Sequence, residues 1–530
     1  MATAITLLPL ELGLHRFVDW PVHHALGVGV VVAVLGLLGS WTLAYLTSPL
    51  RHFPGPFLAG WTNLWRLALV CSNNYTTHIK QLHERHGAVV RIGPNTLDVD
   101  APELIKTLYG TDGKWAKTDF YRSNSVRFGD RLVWNVFSEA NQARHAAMKR
   151  PMVKYFSSGV ALEKEPLVDD IIASFCHELD ARFALDGGPE CDLGAWVAFC
   201  AWDILGVVTL SKDFGYLEKG YDHDCNIKFN DRITDYFAFV GQMPFLGSLL
   251  EKMPLKRIGP PLLENVASFA LRHIRARAQG RDDNFNPAVP DFLQHFLDAK
   301  AARPDLVDDE LVFGYVLVTL LAGADTTAIA IRAVFYFILK HRRVWDRLAD
   351  EVLAAGAGWE GVVAPYSAAR ALPYLEAVVR ESLRLHPSVG MLLERRVPDG
   401  GLTLPDGRFV PENTEIGINP LVANRNRAVW GPDADEFRPE RWLPQPGESP
   451  DDDAFRDRLR RFNAADLTFG GGARVCIGRN FAYLEIYKIV ATLIRRYHIE
   501  LVHPDRDWNV SGSWFRRQKG IVCRFARRSG

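Results

Sequence analysis

The hydrophobic pattern begins with one uninterrupted apolar run, residues 25–45, that contains no charged residue. At 1.5 Å per residue, a helix of this length spans about 30 Å, which is enough to cross a bilayer. A cleaved signal peptide normally has a shorter apolar region with basic residues before it, whereas both acidic and basic residues precede this run. We therefore predict a transmembrane anchor helix at residues 25–45.

The charges on either side of this anchor predict its orientation. Arg51 and then Arg66 follow the run, and the positive-inside rule favours a cytoplasmic position for the segment with more basic residues. Residues 1–24 are then a short segment on the lumenal side. Residues 46–60 contain Phe53-Pro54-Gly55-Pro56 and predict a stiff hinge. Residues 61–530 show no linker or repeat, so we expect one large catalytic domain.

Within this domain, apolar residues recur mostly at helical spacing. Residues 308–340 predict a helix of about 50 Å. Asp325 interrupts its centre, and an acid is costly in a membrane, so a core helix is favoured over a second membrane span. Residues 372–387 and 477–497 also predict helices, whereas residues 89–99 alternate around Gly93-Pro94-Asn95 like a β-hairpin. The predicted fold class is mostly α with small β-sheets.

Composition and charge exclude several functions. The chain has 530 residues, of which 62 are basic and 62 acidic, so it lacks the basic excess typical of nucleic-acid binding. Its seven cysteines include no Cys-x-x-Cys spacing, which argues against structural zinc. Scattered cysteines in odd number are typical of reduced thiols in the cytosol.

The strongest chemical signal is a glycine-rich loop, Phe469-Gly470-Gly471-Gly472-Ala473-Arg474-Val475-Cys476-Ile477-Gly478. Its glycines allow the backbone to pass close to a flat group. Cys476 directly precedes a predicted helix, whose N-terminal dipole and free N–H groups favour a thiolate. A buried structural cysteine is the competing interpretation.

The order Phe-x-x-Gly-x-Arg-x-Cys-x-Gly resembles the haem-binding loop of the cytochrome P450 family, with every motif position filled. The resemblance implies a P450 fold in which haem (heme b) lies between the long central helix and the cysteine loop. Cys476 would be the axial thiolate ligand of the iron. Phe469, Gly470, Arg474 and Gly478 would surround the haem, with Arg474 beside a propionate.

A second motif, Ala322-Gly323-Ala324-Asp325-Thr326-Thr327, resembles the oxygen-binding segment of the same family. The resemblance places Ala322 and Gly323 beside the haem. Gly323 would let the backbone approach a diatomic ligand, and Asp325 and Thr326 would deliver protons, with Thr326 donating to dioxygen. Alternatively, the Thr326 hydroxyl only donates to a carbonyl of its own helix.

Further residues are assigned by position within the resemblance. His145 and Lys149 occupy positions where many members carry tryptophan and arginine that reach a haem propionate. Arg395 matches another propionate-binding arginine, although Glu394 stands where members often have proline, which leaves the choice between Arg395 and Arg396 open. The pattern around three further residues resembles a buried charged triad that supports the haem side of the fold: Glu381, Arg384 and Arg441.

The implied activity is insertion of one oxygen atom from O2 into a small organic substrate. Electrons would come from NADPH through a separate NADPH-cytochrome P450 reductase, with cytochrome b5 as a further donor. The anchor and hinge resemble a fungal or other eukaryotic microsomal member on the endoplasmic reticulum, and the pisatin-demethylase-like subgroup is a further hypothesis. A haem-thiolate isomerase or dehydratase and a non-catalytic haem-binding protein remain as alternatives. Secondary metabolism or detoxification follows from analogy only.

Overall fold

The structure, a computed structural model, describes residues 14–128, 131–251 and 264–528, and helices account for most of them. The first α-helices are α1 (Leu14–Thr47), α2 (Phe57–Trp61), α3 (Leu64–Cys71), α4 (Tyr75–His86), α5 (Ile105–Leu108), α6 (Gln142–Met152), α7 (Ser158–Glu163), α8 (Glu165–Arg182), α9 (Leu193–Leu210), α10 (Tyr216–Lys219) and α11 (Asn226–Val240). The remaining ones are α12 (Phe245–Glu251), α13 (Glu264–Ala278), α14 (Phe292–Ala302), α15 (Asp309–Lys340), α16 (Arg342–Gly356), α17 (Tyr366–Arg370), α18 (Pro373–Leu385), α19 (Pro420–Ala423), α20 (Arg427–Trp430), α21 (Asp453–Ala465) and α22 (Arg479–Arg496). Short 3₁₀-helices lie at Pro102–Leu104, Asp119–Asn124, Val153–Phe156, Pro439–Trp442 and Gly472–Arg474.

The strands form small sheets. They are β1 (Val89–Gly93), β2 (Thr96–Val99), β3 (Val126–Phe128), β4 (Arg131–Val133), β5 (Cys191–Asp192), β6 (Arg395–Arg396), β7 (Leu402–Thr403), β8 (Phe409–Val410), β9 (Glu415–Gly417), β10 (Tyr497–Leu501), β11 (Asn509–Ser511), β12 (Arg517–Lys519) and β13 (Val522–Arg527). The largest sheet has the order β1-β2-β9-β6 and contains the predicted hairpin as antiparallel β1 and β2. The predicted class, mostly α with small sheets, is confirmed.

The N-terminal helix α1 begins at Leu14, earlier than the predicted anchor at residues 25–45. Its stretch Gly27–Thr47 is long and apolar enough to cross a membrane and is not buried against the rest of the chain. Residues 1–13, most of the predicted lumenal segment, lie outside the described residues. Helices α9 and α15 are also long and apolar, but the fold buries most of both, as expected for core helices.

Helix α15 is the central element of the body. Asp308 caps its N-terminus by accepting a hydrogen bond from the Leu311 N–H at 2.8 Å, and acidic Asp309 and Glu310 occupy the positive end of the helix dipole. The helix packs against α9, α18 and α22. The central turns of α15 face a cavity. The packing of α15 therefore fixes the position of the cavity wall that lies opposite the cysteine loop.

The predicted charged triad is brought together in the interior. Glu381 on α18 accepts hydrogen bonds from the Arg384 Nε and from the Arg441 Nε, both at 2.8 Å, and all three side chains are almost fully buried. The Trp442 Nε1 donates to the same carboxylate at 3.0 Å. Charges placed this way must satisfy one another, because an unpaired buried charge is very costly.

Candidate active site

A cavity of roughly 360 Å³ separates the middle of α15 from the cysteine loop. Every residue predicted to contact the cofactor lines this cavity: His145, Lys149, Ala322, Gly323, Arg395, Phe469, Gly470, Arg474 and Gly478. Cys476 and Thr326 line it as well, from its two facing walls. The two motifs, about 150 residues apart in the sequence, therefore face each other across one space.

The cysteine loop holds its thiol toward the cavity. The Cys476 N–H donates to the Phe469 carbonyl at 2.8 Å, which closes the loop. Gly472 has a φ of +56°, and a Cβ there would lie 1.3 Å from the Tyr109 carbonyl oxygen, so only glycine fits. The side chain of Cys476 is exposed, and because protein atoms surround it, this exposure is to the cavity.

The predicted thiolate preference of Cys476 is only partly met by the loop itself. Burial raises the pKa of the thiol, whereas the N–H groups of Gly478 and Arg479 lower it. Helix α22 starts at Arg479 rather than at the predicted residue 477, with Gly478 as its cap. The helix N-terminus and the nearby charges of Arg479 and Lys149 lower this pKa by less than burial raises it, and a metal cation bound to the sulfur would lower it further.

Basic side chains gather at the rim of the cavity. Burial lowers the pKa of His145 to about 3, and Arg474, Lys149, Lys117 and Arg395 add to this by repulsion. Burial also lowers the pKa of Arg474 to about 10, with further repulsion from Arg395. A site whose positive groups destabilise one another in this way favours an anionic ligand.

The two predicted members of the proton-delivery pair have different positions. The Thr326 hydroxyl lines the cavity and donates to the Ala322 carbonyl at 2.8 Å, so the back-bonded arrangement is present. Asp325 lies behind the wall, where it accepts hydrogen bonds from Trp202 Nε1 and Asn230 Nδ2, each at 2.8 Å. Burial raises the pKa of its carboxyl, and these two donors oppose that rise.

Gly323 has a packing role that the sequence did not indicate. A Cβ at this position would lie 2.8 Å from the Cδ1 of Leu205 on α9. The glycine therefore allows close approach of two helices. It lines the cavity as predicted, but helix packing already explains its lack of a side chain.

Comparison with known proteins decides the family. The family model described as Cytochrome P450 matches residues 54–523. The chain is 44% identical over 501 residues to Cytochrome P450 monooxygenase cfoH of Aspergillus candidus, covering 94% of this chain and 92% of that protein. It is 35% identical over 483 residues to a Cytochrome P450 monooxygenase of Aspergillus terreus, covering 89% of this chain and 94% of that one.

The chain belongs to the cytochrome P450 family. Membership makes it an oxidoreductase of the haem-thiolate class, and the family uses O2, an organic substrate and a redox partner. The residues of this P450 fit such a group. A thiol faces the cavity from one wall, glycines let the backbone approach, and basic side chains suited to carboxylates stand at the rim.

The structure separates Arg395 from Arg396 in this P450. Arg395 is buried, lines the cavity and lies over the Tyr109 ring, 4.7 Å from its centre. Arg396 turns away and pairs with Asp119 at 3.1 Å. Glu394, the departure from the family pattern, is buried against Arg66 and accepts from the Thr118 Oγ1 at 2.7 Å.

Lys117 is a cavity residue that sequence reasoning missed. It lines the cavity, its Nζ donates to the Phe137 carbonyl at 2.7 Å, and burial, with Arg474 and Arg395 nearby, lowers its pKa. Its backbone forms a β-bridge with Arg395, which sets the two basic side chains side by side. No local motif marks Lys117, because its placement depends on a partner far along the chain.

Aromatic side chains form part of the cavity wall. Trp514 and Phe515 line the cavity together with Tyr121 and Val389. Trp514 also packs against further aromatic rings, with centroid distances of 5.0 to 6.1 Å, namely Phe120, Tyr121, Phe137 and Phe237. The wall is mostly apolar, which suits an organic molecule with little charge.

Proposed function

We propose that this P450 is a haem-thiolate monooxygenase that inserts one oxygen atom of O2 into a small, mostly apolar organic substrate. The observation that carries the proposal is the single cavity with Cys476 on one wall and Thr326 on the wall opposite. Electrons would come from NADPH through NADPH-cytochrome P450 reductase, with cytochrome b5 as a further donor.

Under this proposal, the residues that line the cavity have distinct roles in holding the cofactor. Haem with a thiolate ligand activates dioxygen and favours cleavage of its O–O bond. Cys476 supplies the ligand atom. Arg474, Arg395, His145 and Lys117 stand at the rim with N–H donors suited to two propionates. Lys149 donates to the Ala473 carbonyl at 3.0 Å, so it also fixes the cysteine loop.

Thr326 and Asp325 would deliver protons to the reacting oxygen. The Thr326 hydroxyl can rotate from the Ala322 carbonyl toward the cavity, where it holds a proton near the reacting oxygen. Asp325 is one residue away and can resupply that proton once it leaves one of its two partners. An isomerase or a haem carrier needs no such supply, so the acid and alcohol favour monooxygenation.

The ligand role of Cys476 is tested by spectroscopy. We expect Cys476→Ala to abolish the thiolate-type band of the reduced carbon monoxide complex, because alanine offers no ligand. Cys200→Ala, which removes a cysteine buried in the core instead, is the control and should keep the band. A thiolate-type band that persists in Cys476→Ala contradicts the assignment.

The reaction class is tested by turnover. A substrate is first found by screening compounds for a shift in the haem spectrum. A monooxygenase then consumes dioxygen and NADPH, and requires the reductase, to oxidise that compound. An isomerase or dehydratase converts a peroxide without either, and a haem carrier converts nothing.

The location of the protein is part of the proposal. The apolar helix α1 would insert in the endoplasmic reticulum membrane once, with the catalytic domain facing the cytoplasm. Protease treatment of intact microsomes tests this orientation, because the catalytic domain should be digested without detergent. A role in secondary metabolism or detoxification and placement in the pisatin-demethylase-like subgroup remain predictions.

A further inference from the structure

Asp325, the acid beside Thr326, is not among the residues that line the cavity, and side chains of two neighbouring helices bind its carboxylate. Its Oδ1 accepts from Trp202 on α9 and its Oδ2 accepts from Asn230 on α11. The Asn230 Nδ2 also donates to the Leu321 carbonyl at 3.0 Å, which fixes the orientation of the amide. Because α9 and α11 hold the two carboxylate oxygens, a proton that reaches Asp325 from outside the cavity would come from one of these two sides.

On the α11 side, Asp231, the residue that follows Asn230, is partly exposed at the surface. Its carboxylate pairs with the Arg517 Nε at 3.1 Å, and about a third of its side chain is exposed. The same arginine holds Asp235, one turn further along α11 and half exposed, at 2.6 Å. Arg517 is almost buried, whereas Asp231 is partly exposed. Their ion pair therefore holds the Asp231 carboxylate at the boundary between solvent and the protein interior.

Asp231 and Asp325 also interact electrostatically. Burial raises the pKa of Asp231 to about 7; Arg517 and Arg332 oppose the rise, whereas the charges of Asp325 and Asp235 add to it. Asn230 donates to Asp325 through its Nδ2 and directly precedes Asp231 in the chain, and its Oδ1 is a buried acceptor with no hydrogen-bond partner among the described residues. Buried acceptors of this kind are usually satisfied by ordered water, which can carry a proton.

We propose that Asp231, held by Arg517, is the outer station through which protons from solvent reach Asp325. The inference rests on the proposed monooxygenase function. Asp231 takes a proton from bulk water and passes it inward, Asp325 receives it after giving its own toward Thr326, and Asp231 is then protonated again. Asp231 acts through Asp325 and touches neither substrate nor haem.

The route predicts a specific pH profile. A donor with a pKa near neutrality loses its proton as pH rises through about 7, so proton supply falls in the same range. NADPH-driven oxygen consumption is measured from about pH 6 to about pH 8.5 in the full-length haem protein with reductase and naphthalene as the probe in the cavity. Reduction of cytochrome c by the reductase alone controls for the pH dependence of electron supply.

Asp231→Asn is compared with Asp235→Asn, which removes the other acid on the same arginine. We expect Asp231→Asn to lower oxygen consumption by about fivefold or more and to remove the decline above neutral pH. Asp235→Asn should stay within about twofold of the wild type, and Asp231→Glu should restore both rate and pH dependence. Haem content and the reduced carbon monoxide band should be unchanged in all three variants.

Arg517→Gln provides a second, independent test if Asp231→Asn binds too little haem. Because Arg517 lowers the pKa of Asp231, its loss should move the alkaline decline to higher pH. The relay is overturned if Asp231→Asn keeps the wild-type rate and profile, if Asp235→Asn falls equally, or if Arg517→Gln leaves the decline in place. A wild-type protein without a thiolate-type carbon monoxide band overturns the proposed function itself, and the relay with it.

Discussion

At the scale of single residues, the site depends on basic side chains held close together at the rim of the cavity. Lys117, His145 and Arg474 all have a lowered pKa, caused first by burial and then by neighbouring cations. With a pKa of about 3, His145 is neutral at pH 7 and can offer only a single N–H. A bound anion would offset the repulsion between these cations by attracting each of them. We therefore expect these residues to help retain a cofactor that carries carboxylates.

Lys117 provides the sharpest test of that expectation. We expect Lys117→Met to release haem about ten times faster, because a hydrogen bond to a charged group is worth about 1.5–3 kcal/mol. Lys117→Arg should retain haem, since it keeps the charge. Transfer of haem to excess apomyoglobin measures the rate, and exposed Lys154→Met is the control. A rate equal to the wild type in Lys117→Met would remove Lys117 from the cofactor site.

Thr326 is tested by removing its hydroxyl while keeping its shape. In Thr326→Val we expect product formed per NADPH to fall several-fold, because proton supply near the reacting oxygen is lost while electron supply continues. Thr319, two turns earlier on α15, also lines the cavity and donates to its own helix at the Tyr315 carbonyl. Thr319→Val should therefore keep its coupling. Equal losses in the two variants would show that any cavity hydroxyl has this effect.

At the scale of secondary structure elements, residues that a local pattern specifies were predictable and residues set by distant contacts were not. The helices around Asp325 and after Cys476, and the hairpin at β1 and β2, follow from spacing and turn residues over short windows. Arg395 was found through its motif. Lys117, Trp202 and Asn230 have no motif, and they matter only because tertiary packing brings them to Arg395 and Asp325.

Helix α18 shows how an element depends on one buried carboxylate. We expect Glu381→Gln to destabilise the protein by about 3–5 kcal/mol, because Arg384 and Arg441 would lose their counter-charge in the interior. Glu440→Gln, which weakens the exposed pairs with Arg343 and Arg347, should cost below about 1 kcal/mol. Denaturant unfolding of the haem-loaded protein measures both. Similar losses in the two variants would contradict the supporting role of the triad.

At the scale of the whole molecule, the N-terminal helix and the segment that follows it differ in how closely they contact the rest of the chain. Helix α1 exposes large apolar side chains along Gly27–Thr47 and makes few contacts with the body, among them Tyr45 against Phe57. The hinge that follows is part of the fold. Leu50 and Phe53 are buried in the core, and the Arg91 N–H donates to the Pro54 carbonyl at 2.7 Å.

Two truncations separate these roles. A chain that begins at Ser48 should bind haem and show a thiolate-type carbon monoxide band, because Leu50, Phe53 and the Pro54 contact remain. A chain that begins at Thr62 should give little haem-loaded protein. It loses the buried side chains of Leu50 and Phe53 and the hydrogen bond from Arg91 on β1 to the Pro54 carbonyl. The Ser48 chain should also leave the membrane fraction after an alkaline carbonate wash, whereas the full chain should stay. Retention of the Ser48 chain after that wash would mean that a second apolar surface of the body, such as exposed Phe57 and Leu58, inserts on its own.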